Sequence, residues 1–188
     1  MPPRSKITKD MITDAAVAVA RENGYERINA RTVSRYLHCS TQPVMYHFAT
    51  IDSLRRAAYA QVDRQHTEYL LDTRSGQDPI LGIGLNYIRF AVEEPQLFRF
   101  LFQSGYPKEN NLLEMIGSEE LVPVLSAMQE GLGTDMEKTK NVFLTVALFA
   151  HGYASIIANN SLEFDEALIA RHLERAWNGA VFAVSQEE

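Results

Sequence analysis

Cysteine is nearly absent from this sequence. Cys39 stands alone, so no disulfide can form within the chain. That usage fits a reducing compartment, and a cytoplasmic location is expected. Long apolar runs are also missing. The first apolar stretch, around Met11–Ala20, is interrupted by Thr13 and Asp14, which argues against a signal peptide. No run of about 18 uninterrupted apolar residues offers a membrane span. Positive charge is in deficit, with 18 Lys and Arg against 24 Asp and Glu and a net charge of −6. Enzyme signatures are sparse as well. Gly82-x-Gly84 lacks a third glycine and follows no strand, so it is no dinucleotide loop. The five histidines (38, 47, 66, 151 and 172) lack metal-ligand spacing. No nucleophile elbow or paired carboxylate stands out. We therefore expect no catalytic residue, no metal site and no cofactor: not an enzyme.

What is present is helix-forming pattern and an uneven charge. Residues 1–50 carry a net charge of +3 and the remainder −9. A basic front can attract phosphates although the whole chain is acidic. Apolar residues make up 46%, enough for a real core. Thr8 can cap a first helix that Gly24 ends, with Ile12, Ala15, Ala16, Val19 and Ala20 on one face. Asn29 can cap a second helix, roughly 30–37. Ser40 or Thr41 can cap a third, roughly 42–48, with Pro43 near its first turn. Thr50 or Asp52 starts a long fourth helix to about Leu71, and residues 73–79 are the best linker.

Behind the linker, Asp78-Pro79 opens a helix that Pro95 stops, and a short aromatic-rich helix follows. Residues 104–111 read as a loop, and 112–131 as a helix broken near Pro123. Thr134-x-x-Glu137 is a capping box ahead of a helix to about Ala158, and Phe164–Val184 is the last helix. No strand-like alternation occurs. The expected fold is all-α with about nine helices. Residues 1–50 are expected to form a small front domain of three helices, joined by the long fourth helix to a larger helical domain over 51–188.

Arg31–Phe48 (RTVSRYLHCSTQPVMYHF) reads as a helix-turn-helix. Thr41, Gln42 and Pro43 lie where the second helix of the motif would meet base edges, and Ser40 beside them is a further DNA-binding candidate. Gln can bond adenine bidentately, and the Pro ring or Thr methyl can touch a thymine methyl. Tyr46 and His47 are placed for phosphates, as are Arg31 and Thr32. Arg4 and Lys6, with Lys9, look like an N-terminal arm.

Together, ENGYERINARTVSRYL, the turn HCS, TQPVMYHF and IDSLRRAA resemble the TetR family of bacterial regulators over residues 7–54. The resemblance implies a DNA-binding head, a ligand-binding helical body and a homodimer built from the last two helices. It also implies a palindromic operator in double-stranded DNA, from which a small-molecule effector releases the protein. Two positions depart from the family pattern: Met45 stands where Tyr is common, and Ile51 where Lys is favoured. YIRFAVEEPQLFRFLF (87–102) and FLTVALFAHGYASIIANNS (143–161) look like a TetR-type C-terminal domain.

In that rear part Tyr87, Phe90, Phe98, Phe102, Met128, Phe149, His151 and Tyr153 are candidates to line an apolar ligand cavity, with Asn86, His151 and Tyr153 as polar contacts. At helical spacing such residues are more often ordinary core, and His151 reads first as a packed, hydrogen-bonded histidine. Val142, Leu144, Ala147, Leu148, Ile156, Leu168, Leu173, Ala176 and Val181 are expected at the subunit interface. The expected function is a ligand-released, homodimeric transcriptional repressor. The alternative is a small-molecule sensor of the same fold that does not bind DNA.

Overall fold

Thr8, Asn29, Thr50 and Asp165 start helices for one shared reason. Each offers a short polar side chain to amide groups that the first helical turn leaves without partners. Thr8 Oγ accepts from the Met11 amide at 3.2 Å, and Asp165 Oδ1 from the Leu168 amide at 2.9 Å. Asn29 Oδ1 accepts from the Arg31 and Thr32 amides, while the Asn29 amide donates to Thr32 Oγ at 3.1 Å, a complete capping box. Thr50 and Ser53 exchange the same pair of bonds.

The computed structural model describes residues 7–72, 79–106, 121–160 and 162–186. Among them the order is α1 (Lys9–Asn23), a 3-10 turn (Tyr25–Arg27), α2 (Ala30–Tyr36), α3 (Gln42–His47), α4 (Ile51–Leu71), α5 (Pro79–Glu93), α6 (Pro95–Gln103), α7 (Val122–Leu132), α8 (Met136–Asn160) and α9 (Glu166–Ser185). No strand occurs among the described residues. The fold is all-α, as expected. Residues 73–78 of the expected linker 73–79, most of the loop 104–111 and the first part of 112–131 lie outside the described residues, and Pro79 already belongs to α5.

Two local expectations change. Thr134 does not cap α8. The helix begins at Met136, so Asp135 holds the cap position and its Oδ1 accepts from the Lys138 amide at 2.8 Å. Thr134 Oγ instead meets Thr139 Oγ at 3.0 Å. The described helix of this region begins at Val122, and Pro123 follows at once. It sits in the first turn of α7, where a missing N–H leaves no bond unmade. Thr41 precedes α3 but makes no side-chain capping bond.

The described residues fall into two compact units, one drawn from Met1–His66 and Glu94–Pro107, the other from Thr67–Glu93 and Lys108–Glu188. The division falls inside α4. In the first unit α2, α3 and α6 all pack on α1. The inward face of α1 is the one its spacing indicated: Ile12, Ala15, Ala16, Val19 and Ala20 are all buried. Gly24 ends α1 with φ +87°, a conformation that disfavours any side chain, and its amide donates to Ala20 O at 2.9 Å. Although chain order groups α6 with the rear, it belongs to this unit. Phe100 stacks on Tyr25 with ring centroids 5.2 Å apart, and Tyr59 and Tyr106 meet the same ring edge-on. Arg55 of α4 closes the 3-10 turn by donating to Ile28 O and Glu26 O.

In the second unit α8 packs on α5, α7 and α9, and α9 also packs on α5. Met128, Val142, Ala180 and Val184 form one buried cluster of this unit. By length and composition α8 could cross a membrane. Thr145, His151 and Ser155 interrupt its apolar run, and Val142, Ala154 and Ile157 on it are buried.

Candidate nucleic-acid interface

The turn between α2 and α3 is a six-residue lock. The Cys39 amide donates to Ser34 O at 2.9 Å and the His38 amide to Arg35 O at 3.1 Å, the paired bonds of a Schellman motif. That motif needs a left-handed residue, most often glycine. Here it is His38, at φ +51°. Half-buried Cys39 points its Sγ at Ser40 O, 3.2 Å away. The lock aims α3. Val44 and Phe48 are buried under it, while Ser40, Thr41, Gln42, Met45 and Tyr46 are exposed. Positions 41, 42, 45 and 46 repeat at helical spacing, so they form one outward face.

The front residues singled out in the sequence therefore divide. Arg31, Ser40, Thr41, Gln42 and Tyr46 are exposed, and Pro43 is half-buried. Thr32 is committed to structure: its hydroxyl donates to Arg27 O at 2.6 Å and accepts from the Asn29 amide. His47 is half-buried, and its Nε2 bonds Ile7 O at 3.1 Å, fastening the entry to α1 onto the end of α3. Arg4 and Lys6 lie outside the described residues. Sequence reasoning omitted Met45 because it marked a departure from a family pattern. Its spacing from Gln42 was the signal that could have placed it on the exposed face.

In the second unit the polar candidates bond one another. Tyr87 OH and His151 Nδ1 share a hydrogen bond of 2.8 Å, and His151 Nε2 lies 3.2 Å from Ser155 Oγ. Burial holds His151 below the usual histidine range and pushes the Tyr87 hydroxyl up, so both are neutral near pH 7. Buried Asn86 donates to the carbonyls of Tyr69, Leu70 and Asp72 and accepts from Arg89, so it ties off the end of α4. Phe149 packs on Tyr153, and Phe90 on Tyr69. Met128 is in the buried cluster. Phe98 and Phe102 pack together in the first unit, their centroids 4.8 Å apart.

The α8 and α9 surfaces sort the expected interface residues in the same way. Val142 and Leu173 are buried within their own unit, against Met128 and Gly84 respectively, so neither is available to a partner. Leu148 and Ile156 (56% exposed) line one face of α8 with Gly152 between them. On α9, Phe182 is 67% exposed beside Gly179. Open space lies above both glycines.

No family model matches the chain. It is 22% identical over 174 residues to YobS, an uncharacterised HTH-type transcriptional regulator of Bacillus subtilis (strain 168), covering 90% of this chain and 88% of that protein. A TetR family transcription regulator from Marinobacter aquaeolei VT8 superposes with a TM-score of 0.65 at 15% identity, covering 90% of this chain and 93% of that one. The multidrug binding protein EbrR, solved with imidazole, superposes with a TM-score of 0.56 at 18% identity over 94% and 97%. By name these are transcription regulators and a binding protein. The all-helical architecture, the locked turn ahead of α3 and these likenesses agree: the chain has the fold of the TetR family transcription regulators.

Proposed function

We propose that the chain is a sequence-specific DNA-binding transcription regulator, a homodimeric repressor that a small-molecule effector releases from its operator. One observation carries the reading: Thr41, Gln42, Met45 and Tyr46 stand outward on a short helix whose inner face is buried and whose entry turn is locked. A groove reader needs such a frame, because base edges are read at hydrogen-bond distance by side chains that cannot drift. In this reading residues 1–50 are the DNA-binding domain and 51–188 the ligand-binding and dimerisation domain. Arg31 and Ser40 reach phosphates, Thr41, Gln42 and Pro43 reach bases, and Arg4 and Lys6 serve as an arm. Thr32 and His47 position this surface from within, through the bonds described above.

The similarity to an HTH-type regulator supports DNA as the partner. Likeness to a protein named for multidrug binding supports an effector held in the body, with Tyr87, Phe149, His151 and Tyr153 nearest in type to a mixed apolar and polar lining. The exposed Leu148, Ile156 and Phe182 support a dimer through α8 and α9, because apolar side chains of that size on facing helices favour burial by a second copy.

Selection of bound duplexes from a random pool by the full chain tests the reading. The expected product is a palindrome whose half-sites lie about 34–36 Å apart, or a multiple of that. Retention must weaken steeply with added salt. If no duplex is retained even at low salt, the reading fails and the sensor without DNA binding takes its place.

A further inference from the structure

The outward face of α3 holds one side chain that makes no strong hydrogen bond. Met45 is 45% exposed, three residues after Gln42 and four after Thr41, and it adjoins Tyr46, which is 81% exposed. The neighbouring positions have other duties: Val44 and Phe48 fill the core, and His47 holds Ile7. A lone exposed apolar side chain is ordinary on a protein surface. Met45 differs by sharing a face with the residues placed to meet bases. A thioether is only a weak acceptor. In the major groove, the feature an apolar side chain can read is the C5-methyl group of thymine. The rise from Gln42 to Met45 along the helix is about 4.5 Å, close to one base-pair step of about 3.4 Å.

We propose that Met45 is a specificity residue that reads a thymine methyl one or two base pairs from the contact made by Gln42. The inference rests on the DNA-binding reading above and names a readout within it. Gln42 supplies hydrogen bonding suited to adenine and Met45 supplies apolar contact suited to thymine, so the centre of each half-site is expected to be rich in A·T pairs.

The test uses the full chain and the duplex recovered by selection, with single thymines replaced by deoxyuridine, which removes only the methyl group. Wild-type affinity is expected to fall about fourfold at one position per half-site, the worth of one buried methyl. Met45→Ala should bind the thymine and uracil duplexes equally at that position. Met45→Leu, which stays apolar, should keep the discrimination. Because Met45 is exposed, both variants should melt at the wild-type temperature, and a fluorescence melt confirms it. Specific binding by the wild type with no sensitivity to any thymine methyl overturns this inference and leaves the regulator reading intact. Discrimination that survives in Met45→Ala overturns it too. If the wild type binds no duplex, the regulator reading falls and this inference with it.

Discussion

The outer face of α3 and the polar centre of the second unit make opposite use of similar side chains. On α3, Thr41, Gln42 and Tyr46 stand in solvent on a frame held by other residues. In the second unit Asn86 spends its amide on three carbonyls and on Arg89, and His151 is engaged at both ring nitrogens. A polar group whose hydrogen bonds are made inside the fold stabilises the fold. One left outside on a rigid element costs the fold little and is available to a partner. Residue type alone does not separate the two cases, whereas hydrogen-bond bookkeeping does.

The largest effect that tests this contrast is a pH effect in the first unit. Burial lowers the His66 pKa from 6.5 to about 4, and its ring packs edge-on against Phe102. The unfolded chain therefore binds a proton between those values that the folded chain refuses. The contribution to stability is full above pH 6.5 and is lost as the pH falls toward 4. The loss is on the order of 3 kcal/mol, and denaturant melts across that window should show it. His66→Phe should flatten the difference; an unchanged slope would mean that other groups set the acid limit. Next, Asn86→Ala should cost about 2 kcal/mol, because the Arg89 guanidinium and three carbonyls lose a partner. A variant as stable as wild type would break the contrast, since the polar centre would then be doing nothing for the fold. Gln42→Ala should leave the melting temperature unchanged and weaken specific DNA binding by roughly 1–3 kcal/mol. Equal losses on specific and random duplexes would demote Gln42 to a phosphate contact. Smallest is His38→Gly, which relieves the left-handed strain at φ +51° and should raise stability by about 1 kcal/mol. A fall instead would show that the histidine side chain does more in that turn than tolerate it.

The front of the molecule was legible in the sequence because its signals are local. The Thr8 and Asn29 caps, the Gly24 stop and the apolar face of α1 each depend on residues within two turns of one another. The role of Thr32 was not legible. Its hydroxyl bonds Arg27 O, a partner fixed by the path of the 3-10 turn, and a phosphate-facing threonine looks identical in sequence. His47 is a stronger case, since Ile7 lies 40 residues away. In the rear, helices were readable and their faces less so. Val142 and Leu173 have the composition of an interface and the positions of a core. The grouping of α6 with α1 depends on Phe100 meeting Tyr25, a pairing of distant residues that no periodicity announces.

The sole cysteine has a practical consequence. Cys39 closes the α2–α3 turn three residues ahead of Gln42, and it is only half-buried. A thiol-reactive fluorophore would therefore attach at one place per chain, with no substitution needed, beside the surface proposed to meet DNA. Its emission would report occupancy of that surface directly. In a dimer, energy transfer between two such dyes would measure the separation of the recognition helices, with and without an effector.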